Sequence, residues 1–316
     1  MNATIAIVGA GISGLLVARA LQAAGADVVV FEKSRGLGGR LATKRVGDVV
    51  FDHGAQYFTA KSARFATMVA AWAAKGVVAP WPGASAHRWI AQPTMNSLGK
   101  FLAEGLEVRR EFKLLKVARE EGEWNLTIEN QPLARVGRLV LTAPLPQSLA
   151  LLAAGGVEMP GTMTQDLQAL TYHPCLALLL TLDGPSAVPA AGVALTSGPV
   201  RWIADNAKKG ISPGQAGAVT VHLEAAFSAE HYTKTDAAVA ALVLPEIAGR
   251  LGAPVVNVAL QRWKFSEPMA TSGQRCVWLP ELGLGLAGDG LGGPRVEGAA
   301  LSGLELADRM TAGRNE

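Results

Sequence analysis

Cysteine is nearly absent from this 316-residue chain: Cys175 and Cys276 are the two, far apart and in no metal-ligand spacing. That excludes a disulfide framework and a thiolate metal site, and it suits a reducing compartment, so a cytoplasmic location is expected. Charge is sparse as well, at 17% Asp, Glu, Lys and Arg with a net charge of +3. Lys208 and Lys209 are the one pair of adjacent lysines, and no basic stripe is present, so nucleic acid is not an expected partner. Long apolar runs are missing too. The run "CLALLLTL", Cys175 to Leu182, is too short to cross a bilayer, so no membrane association is expected. The apolar amino-terminal stretch lacks a basic flank and is broken by Gly9, Gly11 and Gly14, so it is not expected to act as a secretory signal. HExxH, CxxC, GxSxG and Walker patterns are all lacking, and no metal site is expected.

What is present is ample apolar material, 49% of residues, in a chain long enough for two domains or one domain with a large insertion. The first segment carries the strongest pattern. "TIAIVGAG" reads as a buried parallel strand, "GISGLLVARALQAAG" as a helix with Leu15, Ala18, Leu21 and Gln22 on successive turns, and "DVVVFEK" as a second strand. Gly9-Ala10-Gly11-Ile12-Ser13-Gly14 is then the GxGxxG turn of a strand–helix–strand unit. Gly9 permits the tight turn, Gly11 lets backbone approach a pyrophosphate, and Gly14 lets the helix pack close. The helix N-terminus offers unpaired N–H groups to phosphate. Glu32 ends the second strand, where it can accept from the adenosine ribose hydroxyls and repel a 2′-phosphate.

NAD and FAD both fit that unit. Gly38-Gly39-Arg40, in "RGLGGRLATKR" just beyond the ribose acid, favours FAD, because a second glycine pair lets backbone reach another part of the cofactor and the guanidinium is available to phosphate. This arrangement resembles the FAD-binding region of amine-oxidase-like flavoproteins. The carboxyl-terminal "LGLGLAGDGLGGPRVEGAALSGLELADRM" supports the same cofactor. It reads as a strand, a turn with Gly288 and Asp289, and a helix starting near Val296 with Ala299, Leu301, Leu304 and Ala307 on its apolar face. The segment resembles the late Gly-Asp turn and helix of two-dinucleotide-fold flavoproteins; that resemblance implies that Asp289 binds ribitol or pyrophosphate oxygens and that the helix dipole stabilises negative charge on the reduced flavin ring. Both ends of the chain are therefore expected to meet at one flavin.

Between them, "VVFDHGAQYFTA" reads as a strand, "KSARFATMVAAWAAKG" as a helix, and "VVAPWPGASAHRWIAQPT" as a hairpin packed by Trp81 and Trp89. "EEGE" reads as a hairpin turn, and Pro144 and Pro146 as the end of a strand, with the main domain boundary near Gly155-Gly156. From about Gly161 to Pro268 the strands "CLALLLTL", "VRWIADN", "AVTVHLEAAF" and "VVNVALQRWKF" surround one helix, "TDAAVAALVLPEIAGRLG", which suggests an antiparallel or mixed sheet. The expected fold is α/β: a Rossmann-type FAD-binding domain (1–75, 97–155 and 269–316) and a discontinuous mixed-sheet substrate domain (76–96 and 156–268) laid over the flavin.

The blocks "DHGAQYFTA", "VRWIADNAKKG", "QRWKFSEP" and "GDGLGGPRVEGAALSG" resemble those of the renalase family and its bacterial relatives, within the amine-oxidase-like group. The resemblance spans nearly the whole chain. It implies a fold like that of p-hydroxybenzoate hydroxylase. It also implies oxidation of the 2- and 6-dihydro isomers of NAD(P), with electrons passed to O2 to give hydrogen peroxide. By position it places Ser13, Arg40, Gln56 and Tyr57 against FAD, and Lys33, Gly54, Ala55 and Leu114 complete the expected cofactor set. The Cys-Tyr context of covalent amine oxidases is missing, since Cys276 sits in "RCVWL", so the FAD is expected to be non-covalent.

Hydride transfer to a flavin needs little acid–base apparatus; the donor carbon must be held and water kept out. Candidates for that work are Gln56, Tyr57, Arg201, Trp202, His222, Gln261 and Trp263. Alternation in "VRWIADN" puts Arg201 and Trp202 on opposite faces, so at most one of them faces the flavin. His222 also reads as a half-buried strand histidine with a satisfied ring, and Trp202 and Trp263 also read as core. Two rivals stay open beside the dihydronicotinamide oxidase: an amine oxidase or dehydrogenase, for which no aromatic amine cage is evident, and a flavin-binding protein without turnover.

Overall fold

The computed structural model describes residues 4–84, 87–212, 214 and 216–312. The chain divides into two compact units. The first comprises residues 1–39, 99–171 and 267–316, and the second 40–98 and 172–266. The first crossing thus falls at 39/40 rather than at 75, and the main one at 171/172 rather than near Gly155-Gly156. The reason for the first shift is local: Thr43–Val46 and Val49–Asp52 form an antiparallel pair whose partners all lie in the second unit.

The first unit is built on a six-stranded sheet. Its order is Val277–Leu279, Leu284–Leu286, Arg138–Leu141, Ile5–Val8, Val28–Glu32 and Glu107–Arg110. All pairings are parallel except that between the first two. Ile5–Val8 and Val28–Glu32 are buried along their whole length, as expected of parallel strands covered on both faces. The helix Ile12–Ala23 buries Leu15, Ala18 and Leu21; Gln22 lies outside that stripe, donating to the Gly105 carbonyl. The last strand and the carboxyl-terminal helix Arg295–Ala312 return to this core, the helix packing on Ile12–Ala23. Its buried stripe is Ala300, Gly303, Leu304 and Ala307, rotated from the expected Ala299 and Leu301. Gly303 sets the rotation, because a Cβ there would lie 2.5 Å from the Ser13 carbonyl oxygen. A three-stranded antiparallel sheet (Leu114–Glu120, Glu123–Ile128, Ala134–Val136) completes the unit. Its "EEGE" turn has positive φ at Glu121 and Gly122.

Leu145–Ala154 is a helix, not the tail of a strand. Prolines that end sheet pairing also suit the first turn of a helix, where no N–H is needed, and Pro146 stands there.

The second unit carries a five-stranded sheet. Its order is Val193–Ala194, Val200–Asp205, Ala218–Leu223, Tyr172–Leu182 and Val255–Pro268, the last ending two residues beyond Ser266, the unit's limit. One face packs Leu176, Leu178, Leu180, Val219, Val221 and Ile203 against the helix Asp236–Leu251. That helix is capped at its start by the Thr235 hydroxyl and ended by Gly252 in the left-handed region. The other face meets Phe51 through Leu179, Ala218 and Ala259. Two readings change here. The strand over Val49–Ala60 stops at Asp52, and Ala225–Glu230 is a helical turn although "AVTVHLEAAF" reads as strand throughout. The hairpin Val78–Pro80/Trp89–Ala91 forms as expected, with residues 85 and 86 outside the described ones.

Candidate functional site

In the first unit the GxGxxG turn is closed by contacts that exclude side chains. Gly9 has φ +107°, and a Cβ on Gly14 would sit 2.0 Å from the Gly9 carbonyl oxygen. Gly11 caps the helix without any side-chain hydrogen bond, which leaves its first N–H groups outward-facing donors. The second glycine pair is brought to the first: the Gly38 N–H donates to the Ala10 carbonyl at 2.8 Å, and Gly39 approaches Gly11 closely enough that a Cβ would lie 3.2 Å from its Cα. Buried Glu32 accepts from the Ala10 N–H at 2.9 Å, the Ser34 N–H at 2.8 Å and the Ser34 hydroxyl. A carboxylate has about four lone-pair sites, so acceptor capacity remains for ribose hydroxyls.

From the far end of the chain, Gly288 (φ +145°) donates its N–H to the Ser302 hydroxyl at 2.8 Å, and Asp289 beside it is buried. Val296 is buried in the first turn of the last helix. Lys33 reaches out to Gln147, and Leu114 is buried in the three-stranded sheet, paired with Ile128. Two features of the turn fit a dinucleotide. The buried Ser13 Oγ has no partner in the protein, and a Cβ on Gly11 would meet nothing within 4 Å.

In the second unit the structure brings most of the expected substrate residues onto one sheet face. Trp202 pairs with His222 across neighbouring strands, and Ala204 with Thr220. Thr220 and His222 alternate with the helix-covered Val219 and Val221. On Val255–Pro268, Leu260 faces the helix-covered core, so Gln261 and Trp263 alternate onto the opposite face, with Ala259. Arg201 is exposed, at a register shift between Val200 and Trp202 that interrupts the expected alternation of the strand.

Over that face runs 52–57, a segment with unusually dense hydrogen bonding. The Asp52 carbonyl accepts from Thr220 Oγ1 at 2.9 Å and Gln56 Nε2 at 2.6 Å. The His53 carbonyl takes Trp263 Nε1 at 3.0 Å and contacts His222 Nε2 at 3.2 Å. The His53 ring stacks on Trp263 with centroids 5.2 Å apart. Side-chain donors thus take carbonyls that a continuing strand would offer to a neighbour, which is why the strand ends at Asp52. Upstream, Arg40 donates to the Ser266 carbonyl at 2.9 Å and lies over the Tyr172 ring, while Ala55 N–H returns to the Arg40 carbonyl. Gly54 fits because a Cβ would lie 2.0 Å from that same oxygen.

Beneath the segment lies a buried ion pair that the sequence reading missed. Lys209 Nζ donates to Asp52 Oδ2 at 2.7 Å, both side chains fully buried. Asp52 Oδ1 accepts from Thr43 Oγ1 at 2.6 Å and the Met95 N–H at 3.1 Å. Asn206 accepts from the Asp52 N–H and donates to Thr220. Burial pulls the Lys209 ammonium below its usual range, against the opposing charge and hydrogen bond of Asp52. His53 was missed as well. Burial lowers its pKa to about 4, helped by Lys44 and His222. His222 is also lowered to about 4, by burial and then by Arg201 and Lys209, against the His53 carbonyl. Both rings are neutral at neutral pH.

Among the buried side-chain atoms without a partner, three belong to this part of the second unit: His53 Nδ1, Gln56 Oε1 and Trp202 Nε1. The Trp202 ring itself is closely packed, with Tyr57 at 5.6 Å and Trp81 at 6.0 Å between centroids. Among the described residues no group of three or more His, Cys, Asp and Glu could hold a metal ion, and no helix is long and apolar enough to cross a membrane.

Residues 7–72 match the family described as an NAD(P)-binding Rossmann-like domain. Solved structures share the fold over nearly the whole chain. A candidate protoporphyrinogen oxidase from Exiguobacterium sp. 255-15 superposes with TM-score 0.78 at 15% identity, covering 98% of this chain and 99% of that one. Cyclohexylamine oxidase from Brevibacterium oxydans IH-35A gives 0.71 at 12% identity, covering 100% of both. A CLA-producing fatty acid isomerase from P. acnes gives 0.66 at 14%, covering 96% and 98%. At such identities the likeness is one of fold, and one fold hosts many chemistries, so function has to be argued from the residues.

Proposed function

We propose that the chain is an FAD-dependent oxidase of the renalase kind. It would take hydride from 2- and 6-dihydro isomers of NAD(P) and pass electrons to O2, giving NAD(P)+ and hydrogen peroxide. FAD, when bound, supplies the hydride acceptor and the reaction with oxygen. In the first unit the outward N–H groups of Ile12–Ala23 and the Ser13 hydroxyl would hold the pyrophosphate, with Glu32 on the adenosine ribose. Ala10, Lys33, Gly38, Gly39, Leu114, Gly288, Asp289 and Val296 remain in the proposed cofactor set, as do Arg40, Gly54, Ala55, Gln56 and Tyr57 of the second unit. Burial pushes the Cys276 thiol up to about 11, so it stays protonated and a poor nucleophile, in keeping with non-covalent FAD. A cytoplasmic location belongs to the same proposal.

The observation that carries the substrate reading is the set of unpartnered polar atoms near the sheet face of the second unit. Leaving a buried polar group unsatisfied costs about 1–3 kcal/mol, so such groups in a built site are there for a ligand. Gln56 Nε2 is tied to the Asp52 carbonyl, which leaves Oε1 as a fixed acceptor, and Trp202 Nε1 is a fixed donor. An acceptor and a donor beside aromatic rings suit a planar ring bearing an amide, as a dihydronicotinamide does. An alkylammonium ion offers donors alone. His53 and His222, held neutral, would add packing and exclude water without competing for the hydride.

The test is anaerobic stopped-flow mixing of the purified holoprotein with each dihydro isomer and, separately, with primary amines and polyamines. Rapid flavin bleaching by the isomers, followed by peroxide on admitting air, is the expected result. Bleaching by an amine alone would transfer the assignment to an amine oxidase or dehydrogenase. A flavin that nothing reduces above background would make the chain a flavin binder without turnover.

A further inference from the structure

Three aromatic rings of the second unit, Tyr57, Trp81 and Trp202, stand together, and their faces are already taken by cations of the chain itself. The Arg88 guanidinium lies 4.6 Å from the Tyr57 ring centroid and 5.4 Å from that of Trp202. Lys209 Nζ lies 5.2 Å from the centroid of Trp81. Such rings attract cations because their faces carry negative quadrupole density. A cluster of this kind, left open, would bind alkylammonium.

The arrangement is held from behind. Trp81 Nε1 donates to the Ala190 carbonyl at 2.9 Å, and Arg88 Nη1 to the Ala191 carbonyl at 3.1 Å. The next residue, Gly192 (φ +67°), is where a Cβ would run into Trp202 Cζ2 at 2.4 Å. Residues 190–192 thus fix ring and guanidinium together. Among the described residues Arg88 has no carboxylate partner. Asp52, the buried carboxylate below, is engaged by Lys209, Thr43 and Met95. Trp202 Nε1 remains an unpartnered donor. Lys209 is neutralised by Asp52, so the uncompensated charge here is that of Arg88, and with the Trp202 N–H it favours a negatively charged ligand.

We infer that Arg88 is a specificity-determining residue: it fills the aromatic faces with an internal cation, so the cluster refuses amines and accepts a phosphate-bearing anion. The inference deepens the proposed function and rests on it for the identity of the anion.

The test is equilibrium titration of the holoprotein by tryptophan fluorescence, with NAD+ and with benzyltrimethylammonium chloride as probes. Wild type, Arg88→Met and Arg88→Lys are compared. Wild type should bind NAD+ saturably and the ammonium only weakly. Arg88→Met should weaken NAD+ and gain ammonium binding, each by roughly 2- to 30-fold, the worth of one cation–π or exposed charge contact. Arg88→Lys should keep most of the NAD+ affinity, although it too loses the guanidinium bond to Ala191, so loss of that bond alone cannot mimic the result. If Arg88→Met fails to fold, Arg88→Gln, which keeps a donor for Ala191, is read the same way. Met and Gln variants that behave as wild type towards both probes would overturn the inference, and so would equal losses in Lys and Met. Failure of wild type to bind NAD+ would count instead against the dihydronicotinamide assignment.

Discussion

Replacing Lys209 by Met removes one half of the fully buried pair with Asp52 and keeps the length of the side chain. Asp52 would retain the Thr43 hydroxyl and the Met95 N–H, but would lose a charge-assisted bond and its only counter-charge within hydrogen-bonding reach among the described residues. Breaking a buried pair by removing one partner costs about 3–5 kcal/mol, because the stranded charge stays desolvated. At roughly 2–4 °C per kcal/mol for a unit of this size, the melting transition should fall by about 6–20 °C. Asp52→Asn with Lys209→Met strands no charge, so the double variant should recover much of that loss. Thermal unfolding of the holoprotein and its variants at neutral pH reads both the loss and its recovery. A single variant within about 1 kcal/mol of wild type, or a double variant less stable than Lys209→Met alone, would refute the account of the pair.

Three further outcomes are expected. Gly14→Ala places a Cβ 2.0 Å from the Gly9 carbonyl oxygen, so the variant should purify with little or no FAD, checked by its absorbance ratio. Glu32→Gln leaves the Ala10 and Ser34 N–H groups facing a weaker acceptor and should loosen FAD by roughly 10- to 100-fold, from the 1.5–3 kcal/mol of a hydrogen bond to a charged group, measured by reconstitution of the apoprotein. His53 is depressed from 6.5 to about 4, so its stabilising share is complete above pH 6.5 and is lost as pH falls towards 4. The loss should reach about 3 kcal/mol, and His53→Gln should flatten that slope in urea titrations.

The nucleotide half was legible because its signals are local. Gly9 to Gly14, Glu32 and Gly38-Gly39 lie within one stretch, each with a backbone reason for its residue type. The strand, Gly-Asp turn and helix of the carboxyl-terminal segment were legible too, in that order, whereas the pairing of Leu284–Leu286 with Arg138–Leu141 was not, because a strand's partner leaves no local signal. The second unit was legible only in part: alternation could have put Thr220, His222, Gln261 and Trp263 together, but the expectation that set Trp202 opposite Arg201 took no account of the register shift between Val200 and Trp202. The Asp52–Lys209 pair was not legible, because its members are 157 residues apart and each alone looks like a surface charge. A signal was there in "VVFDHG", where an acid directly follows a buried apolar run. His53 was hidden for the same reason, since its partners His222 and Trp263 come from two other strands. The helix Leu145–Ala154 was lost because proline speaks for two structures, a strand's end and a helix's first turn.

If the amino- and carboxyl-terminal segments together build one cradle for FAD, the flavin content of the purified chain before and after denaturation will show it. The expected result is a yellow protein with one FAD per chain, released intact into the supernatant when the protein is unfolded. A colourless protein that takes up no FAD on incubation would contradict it.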